Sequence, residues 1–217
     1  MIIFAMAGKI LVSTAYLPPV SYFSLISRAD EIFIEREENY LKQTYRNRCN
    51  ILSAHGPQLL SVPVYLGSLH KTPVKNIRID YSKRWQQVHL RAMTASYHSS
   101  PYFEFYFENI EKIISKNHDF LLDLNMELTE SVLKVLKIKK TISYTTNFES
   151  VGDMENDFRY KITPKEDSHF AVKEYFQVFN KGEGFVPDLS ILDLVFNMGP
   201  DAVDYLYEIP SIRPSIK

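Results

Sequence analysis

The sequence predicts an α/β fold: a mixed sheet begun by a βαβ unit, with an antiparallel hairpin insertion and flanking helices. Three observations carry that prediction. Lys9 to Ala15 and Glu31 to Glu35 are short apolar or alternating runs of strand length, with a helical stripe between them. His55-Gly56-Pro57 separates two further strand-like runs, Tyr45 to Leu52 and Leu59 to Tyr65, as a hairpin turn would. From Ser82 onward the apolar residues recur at helical spacing in three successive segments.

The first strand is broken by Pro18-Pro19, and Pro19 suits the first turn of the helix that follows. Tyr22, Phe23, Leu25 and Ile26 form that helix's apolar stripe over Val20 to Ala29. Strand, helix, strand in immediate succession implies a parallel pair joined by a right-handed crossover. Pro63 demands a free edge at its position in the second hairpin arm. Lys75 to Tyr81 and Thr141 to Thr146 read as further short strands, and Phe170 to Phe179 as an aromatic, strand-like run. Ser82 is placed to cap a helix carrying Trp85, Val88, His89, Ala92 and Tyr97. Phe103, Phe107, Ile110 and Ile114 define the next helix, and Leu121, Leu124, Leu128, Val132 and Val135 the one after. A last buried helix opens at Asp188-Leu-Ser190-Ile-Leu-Asp193, where Ser190 and Asp193 have the form of a capping box, and Gly199-Pro200 ends it. Residues 150–168 are polar and are expected to be irregular.

A chain of 217 residues suits one domain with one core, here residues 1–217. Its formal charge of −1 gives no global basic excess of the kind that marks nucleic-acid binders, so none is expected as a partner. Cys49 is the only cysteine, so an intrachain disulfide is impossible, which fits a reducing compartment. The opening Met1 to Lys9 lacks a basic leading region and a cleavage site, and no apolar run approaches the ~20 residues of a membrane span. The expected address is cytoplasmic. No GxGxxG, P-loop, HExxH, Cys/His cluster or GxSxG is present, so no metal or cofactor is assigned.

Residues 42–48, Lys-Gln-Thr-Tyr-Arg-Asn-Arg, carry the sharpest functional signal. Read as the start of a strand, they put Arg46 and Arg48 on one face, with Lys42 just upstream and the amide of Asn47 between them. Arginine offers the planar pair of donors that phosphate and carboxylate oxygens accept. An anion clamp is one reading; a solvated charge run that blunts a sheet edge is the other. Tyr16, just past the first strand, and Tyr22 are either pocket walls at the strand ends or aromatic core. His89 lies one helical turn after Trp85 and is the best general-base candidate, against a hydrogen-bonded core histidine. Cys49 faces away from the arginines and reads as a small buried hydrophobe.

Four segments, in order, resemble the WbqC-like protein family of bacteria. They are Ala15-Tyr16-Leu17-Pro18-Pro19 with Tyr22-Phe23 and Ala29-Asp30; Lys42 with Tyr45-Arg46-Asn47-Arg48; Trp85 and His89 with Tyr97 and Ser100-Pro101-Tyr102-Phe103; and Leu189 to Asp193 with Phe196-Asn197 and Gly199. The family often opens its first block with Gln-Pro, where this chain has Ser13-Thr14-Ala15, and Asp153 to Asp167 matches no family motif. The resemblance implies a role in surface-polysaccharide biosynthesis, with transfer of an acyl or aminoacyl group such as glycine to an amino sugar. Under that reading Lys42, Arg46 and Arg48 hold an anionic substrate, Tyr16, Tyr22 and Asn47 line its site, and His89 is the base. A nucleotide-binding nucleotidyltransferase or ligase, and a non-catalytic ligand- or partner-binding module, are the competing readings. The sequence sets no oligomeric state.

Overall fold

The computed structural model describes residues 8–65, 71–148, 150, 156–165, 172–179 and 184–209. Among them the architecture is α/β, with a parallel sheet, a separate antiparallel hairpin and several helices.

The opening βαβ unit forms as predicted. β1 (Lys9–Ser13) and β2 (Glu31–Glu35) pair in parallel with Ile10 opposite Ile32 and Val12 opposite Ile34, and α1 (Val20–Arg28) connects them. Ile10, Leu11 and Val12 are all buried, as in a parallel strand covered on both faces. β5 (Ile142–Tyr144) adds to the other side of β2, giving the order β1-β2-β5. The free side of β1 is covered by residues 156–158: the Leu11 amide donates to the Asn156 carbonyl, and the Phe158 amide to the Leu11 carbonyl.

α1 begins after Pro19 without a cap from its own sequence. Asp188 supplies one from a distance: its carboxylate accepts from the Ser21 amide at 2.8 Å and the Ser21 hydroxyl at 2.9 Å, quieting helix donors that the chain itself leaves open. At the other end Arg28 donates to the Leu206 and Tyr207 carbonyls, tying α1 to α6 (Ala202–Glu208).

β3 (Arg48–Ser53) and β4 (Gly56–Ser61) form the hairpin, with Ser53 opposite Gly56 across Ala54-His55. The strand starts at Arg48, three residues later than the hydrophobic pattern implies, because residues 42–47 are turns and bends. α2 (Trp85–Tyr97), α3 (Phe103–Ile114), α4 (Leu121–Val135) and α5 (Ile191–Met198) follow. One cluster of buried residues runs through both sheets and these helices, from Ile10 to Ile209.

Four expectations are corrected. Lys75 to Tyr81 is no strand: Val74–Asn76 is a 3-10 turn, and only isolated bridges follow at Arg78 and Ile79. Residues 172–179 carry no strand; Phe170 lies outside the described residues, as do 151–155 and 166–168 within the polar stretch. Ser82 does not cap α2, which starts at Trp85 after Arg84; its amide instead donates to Asp80 Oδ1 at 2.8 Å in a local turn. The capping box is only half made. Ser190 Oγ accepts from the Leu192 amide at 3.4 Å, but Asp193 turns away into the core. Its Oδ2 accepts from Tyr175 at 2.6 Å and Gln177 at 2.8 Å, and the Ser190 amide donates to the Asn50 carbonyl.

Candidate functional site

The chain between β2 and β3 supplies most of the site. Gln43 takes a φ of 61°, in the left-handed region that residues with a Cβ seldom enter. Thr44 holds the bend: its hydroxyl donates to the Leu41 carbonyl at 2.9 Å and accepts from the Arg46 amide at 3.4 Å. The result sets Lys42 and Gln43 in the wall of a cleft of about 430 Å³, beside Asn47 and Arg48. Ser61 to Tyr65, leaving β4, and Asp80 with Lys83, ahead of α2, line the same cleft.

Three cations and one acid, Asp80, therefore line this space. No hydrogen bond or ion pair engages the Lys42, Arg48 or Lys83 side chains among the described residues, and Arg48 Nε is buried without a partner. Asn47 is pinned by Nδ2 to the Val62 carbonyl at 2.8 Å and to Ser61 Oγ at 3.3 Å, while its Oδ1 is buried and unmatched. Burial pushes the Tyr40 hydroxyl up to about 12 against the pull of Arg48 and Arg46, so it enters as a neutral donor. Asp80 is held below the usual carboxylate range, first by the Ser82 amide and hydroxyl and then by the Lys83 charge. It stays an ionised acceptor.

Of the residues singled out in the sequence, the fold brings Lys42, Asn47 and Arg48 together and sends the others elsewhere. Arg46 points inward and is 3 % exposed; it grips Glu38 and Ser13 in place of a ligand. The expected common face for Arg46 and Arg48 is absent because a turn, not a strand, carries Arg46. Tyr22 is buried and donates to the Ser13 carbonyl at 2.9 Å. With Arg46 it borders a void of only about 10 Å³, room for roughly one water.

Tyr16 and His89 lie behind the cleft rather than in its lining. The Tyr16 hydroxyl meets His89 Nδ1 at 2.8 Å, and the His89 ring also bonds the Ser61 backbone. A ring donating to the Ser61 carbonyl has Nδ1 free to accept from Tyr16; that tautomer follows from the hydrogen bonds. Burial lowers the His89 pKa to about 4, against a smaller opposing push from Ser61. The geometry is that of a neutral histidine, packed on Trp85 at 5.1 Å, that ties the first strand's end to the cleft wall. Cys49 is fully buried and burial raises its thiol, the behaviour of a small hydrophobe.

Sequence reasoning did not find Tyr40, Gln43, Tyr65, Asp80 and Lys83. The cue for Asp80 and Lys83 is the pair of polar residues flanking Tyr81-Ser82, but no local spacing links it to Lys42. Among the described residues no group of three or more His, Cys, Asp or Glu side chains could hold a metal ion.

The chain's residues 14–169 match the model of the WbqC-like protein family, and this stretch holds every residue of the cleft. The chain belongs to the WbqC-like protein family. A relative within reach is the uncharacterized protein Rv1507c of Mycobacterium tuberculosis (strain ATCC 25618 / H37Rv), 26% identical over 225 aligned positions that cover 90% of this chain and 96% of that protein. No solved structure matches the chain significantly. Among the described residues of this WbqC-like chain, no helix is long and apolar enough to cross a membrane.

Proposed function

We propose that the cleft between the hairpin and the segment ahead of α2 binds an anionic small molecule, and that the chain transfers a group to or from it. The observation that carries the binding reading is the convergence of Lys42, Arg48 and Lys83, none of them ion-paired among the described residues, on one concave surface. Elsewhere in the chain the buried arginines are matched: Arg46 by Glu38, Arg159 by Glu35 and Asp157. Cations left unmatched around a cleft are suited to a ligand's charge. The same groups would stabilise negative charge developing during transfer.

Family membership supports acyl or aminoacyl transfer to an amino sugar in surface-polysaccharide biosynthesis as the form that transfer takes. A specific observation favours a second reading, a ligand-binding module without turnover. The one carboxylate in the cleft is held ionised at low pKa, a weak base, and His89 is buried behind the wall.

Two measurements test these readings. Calorimetric titration of the full chain with inorganic phosphate should show binding that Arg48→Ala weakens; equal binding by the variant removes the site. Incubation with an aminoacyl thioester and an amino sugar, followed by mass spectrometry, should show an amide product and a consumed donor. Binding without product assigns the module reading.

A further inference from the structure

We infer that the cleft's ligand is a phosphate monoester carried on a hydroxyl-bearing ring, with Lys42, Arg48 and Lys83 on the phosphate and Asp80 on the ring hydroxyls. This rests on the anion-binding reading above and narrows it.

Charge decides between phosphate and carboxylate. Lys42, Arg48 and Lys83 against Asp80 leave an excess of two positive charges in the cleft. A phosphate monoester, with its second pKa of about 6, carries nearly that charge at neutral pH. A carboxylate neutralises only half of it. Arg48 adds geometry to charge. Its Nε is buried without a partner at the wall, and a tetrahedral phosphate offers the several oxygens that guanidinium donors take in pairs.

The remaining walls describe the body that carries the phosphate. Val62, Pro63 and Val64 make one side apolar, and Tyr65 stands at the rim 58 % exposed. An aromatic ring left that open next to an apolar wall suits the flat face of a ring. Asp80, ionised, accepts hydrogen bonds and offers none, so it repels the phosphate and is suited to hydroxyl donors on the ring. The cleft, about 430 Å³, lies within the range of small-molecule sites. Sugar phosphates and nucleoside monophosphates share this chemistry.

The test is isothermal titration of the full chain with glucose 6-phosphate, glucuronate, adenosine 5′-monophosphate and inorganic phosphate. Glucose 6-phosphate and glucuronate share a ring and differ in the anion. The expected result is at least tenfold tighter binding of a phosphorylated ring than of glucuronate or inorganic phosphate. A tighter nucleotide names a nucleoside as the body; a tighter sugar phosphate names the sugar alone. Lys83→Met, an exposed change, should weaken the phosphorylated ring about tenfold and leave the melting temperature in place. Asp80→Asn should weaken the phosphorylated ring and leave inorganic phosphate unchanged or tighter. Glucuronate binding as tightly as glucose 6-phosphate overturns the phosphate assignment while the anion site stands. Asp80→Asn weakening no ring-bearing probe overturns the hydroxyl assignment. Indifference of every probe to Arg48→Ala and Lys83→Met overturns both this inference and the site it rests on.

Discussion

Arg46 and Glu38 form a two-pronged ion pair closed off from water: Nε reaches Oε1 at 2.9 Å and Nη2 reaches Oε2 at 2.6 Å, with the side chains 4% and 1% exposed. Arg46 Nη2 also donates to Ser13 Oγ at 2.6 Å, at the end of β1. Two residues further on, Arg48 forms no such contact among the described residues and lines the cleft. Neighbouring arginines of one basic run thus have opposite environments. Tyr40 is close enough to both for their charges to act on its hydroxyl.

Arg46→Ala and Arg48→Ala should therefore fail differently. Removing Arg46 strands a buried carboxylate, which typically costs about 3–5 kcal/mol. For a chain of this length that lowers the melting temperature by roughly 6 °C or more. Arg48→Ala should shift the melt little, and should cost about 1.5–3 kcal/mol of anion binding if a charge-assisted contact is lost. Paired thermal melts and calorimetric titrations check both. An Arg46→Ala protein with an unchanged melt would show that the ion pair holds nothing.

His89 should shape stability between pH 6.5 and 4. Its folded pKa, about 4, lies below the unfolded value of 6.5. The folded state therefore resists the proton, and its advantage is full above pH 6.5. As pH falls the unfolded chain binds the proton first, so stability drops until the folded ring titrates as well. The total is about 3 kcal/mol by linkage. His89→Gln keeps a donor for Ser61 and an acceptor for Tyr16, so its melting temperature should fall less steeply over that window. Parallel pH slopes for the two proteins would mean that other groups carry the acid limb.

Much of the fold is legible in local pattern, because burial writes itself into short periodicities. Ile10 to Val12 read as a buried strand, and Phe103, Phe107, Ile110 and Ile114 mark α3 at its true position. Where the backbone is satisfied from far away the pattern falls silent. The cap on α1 comes from Asp188, and the cover on β1 comes from residues 156–158. In the site, Lys42 and Arg48 were visible as a basic run. Their separation from Arg46 was not, because it depends on the left-handed turn at Gln43, a residue type with no special claim to that conformation. Asp193 has the spacing of a cap but sits where Tyr175 and Gln177 meet it, a tertiary fact that no helix rule contains.

Gly199 should tolerate no side chain. Its φ is 56°, and a Cβ would sit 2.5 Å from the ring of Tyr102, against the ring's inner carbons as well as its edge. The Tyr102 amide donates to the Phe196 carbonyl at 3.0 Å, so the ring is anchored to the same helix end. Gly199→Ala combines backbone strain with overpacking and should cost about 2–4 kcal/mol, read as a lower urea midpoint with an unchanged slope. Adding Tyr102→Ala should recover the overpacking share but not the strain. Full recovery would place the whole cost in the contact.

Arg159 should hold residues 156–158 against the edge of β1. Its guanidinium meets Asp157 at Nε (3.0 Å) and Nη2 (2.7 Å), and Glu35 at Nη1 (3.1 Å). Its carbonyl accepts from Ser13 Oγ at 3.0 Å. Burial pushes the Asp157 carboxyl up, but the Arg159 hydrogen bonds and charge outweigh it and hold that pKa down. A carboxyl depressed in the folded state stabilises it above the unfolded pKa, near 4, and that stability is lost as pH falls below it. Arg159→Ala removes the cause of the depression and leaves Glu35 with partners that include Thr145 and the Glu37 amide. The variant should melt lower at pH 7 by an amount in the range of broken buried pairs, about 3–5 kcal/mol, and the gap to the native chain should narrow toward pH 3. Hydrogen exchange gives the local readout. The Phe158 and Leu11 amides, which bridge the two segments, should exchange faster in the variant, while the Ile34 and Val12 amides inside the sheet should change less. If Phe158 and Val12 accelerate equally, Arg159 stabilises the sheet as a whole, and the 156–158 edge is held by its backbone hydrogen bonds alone.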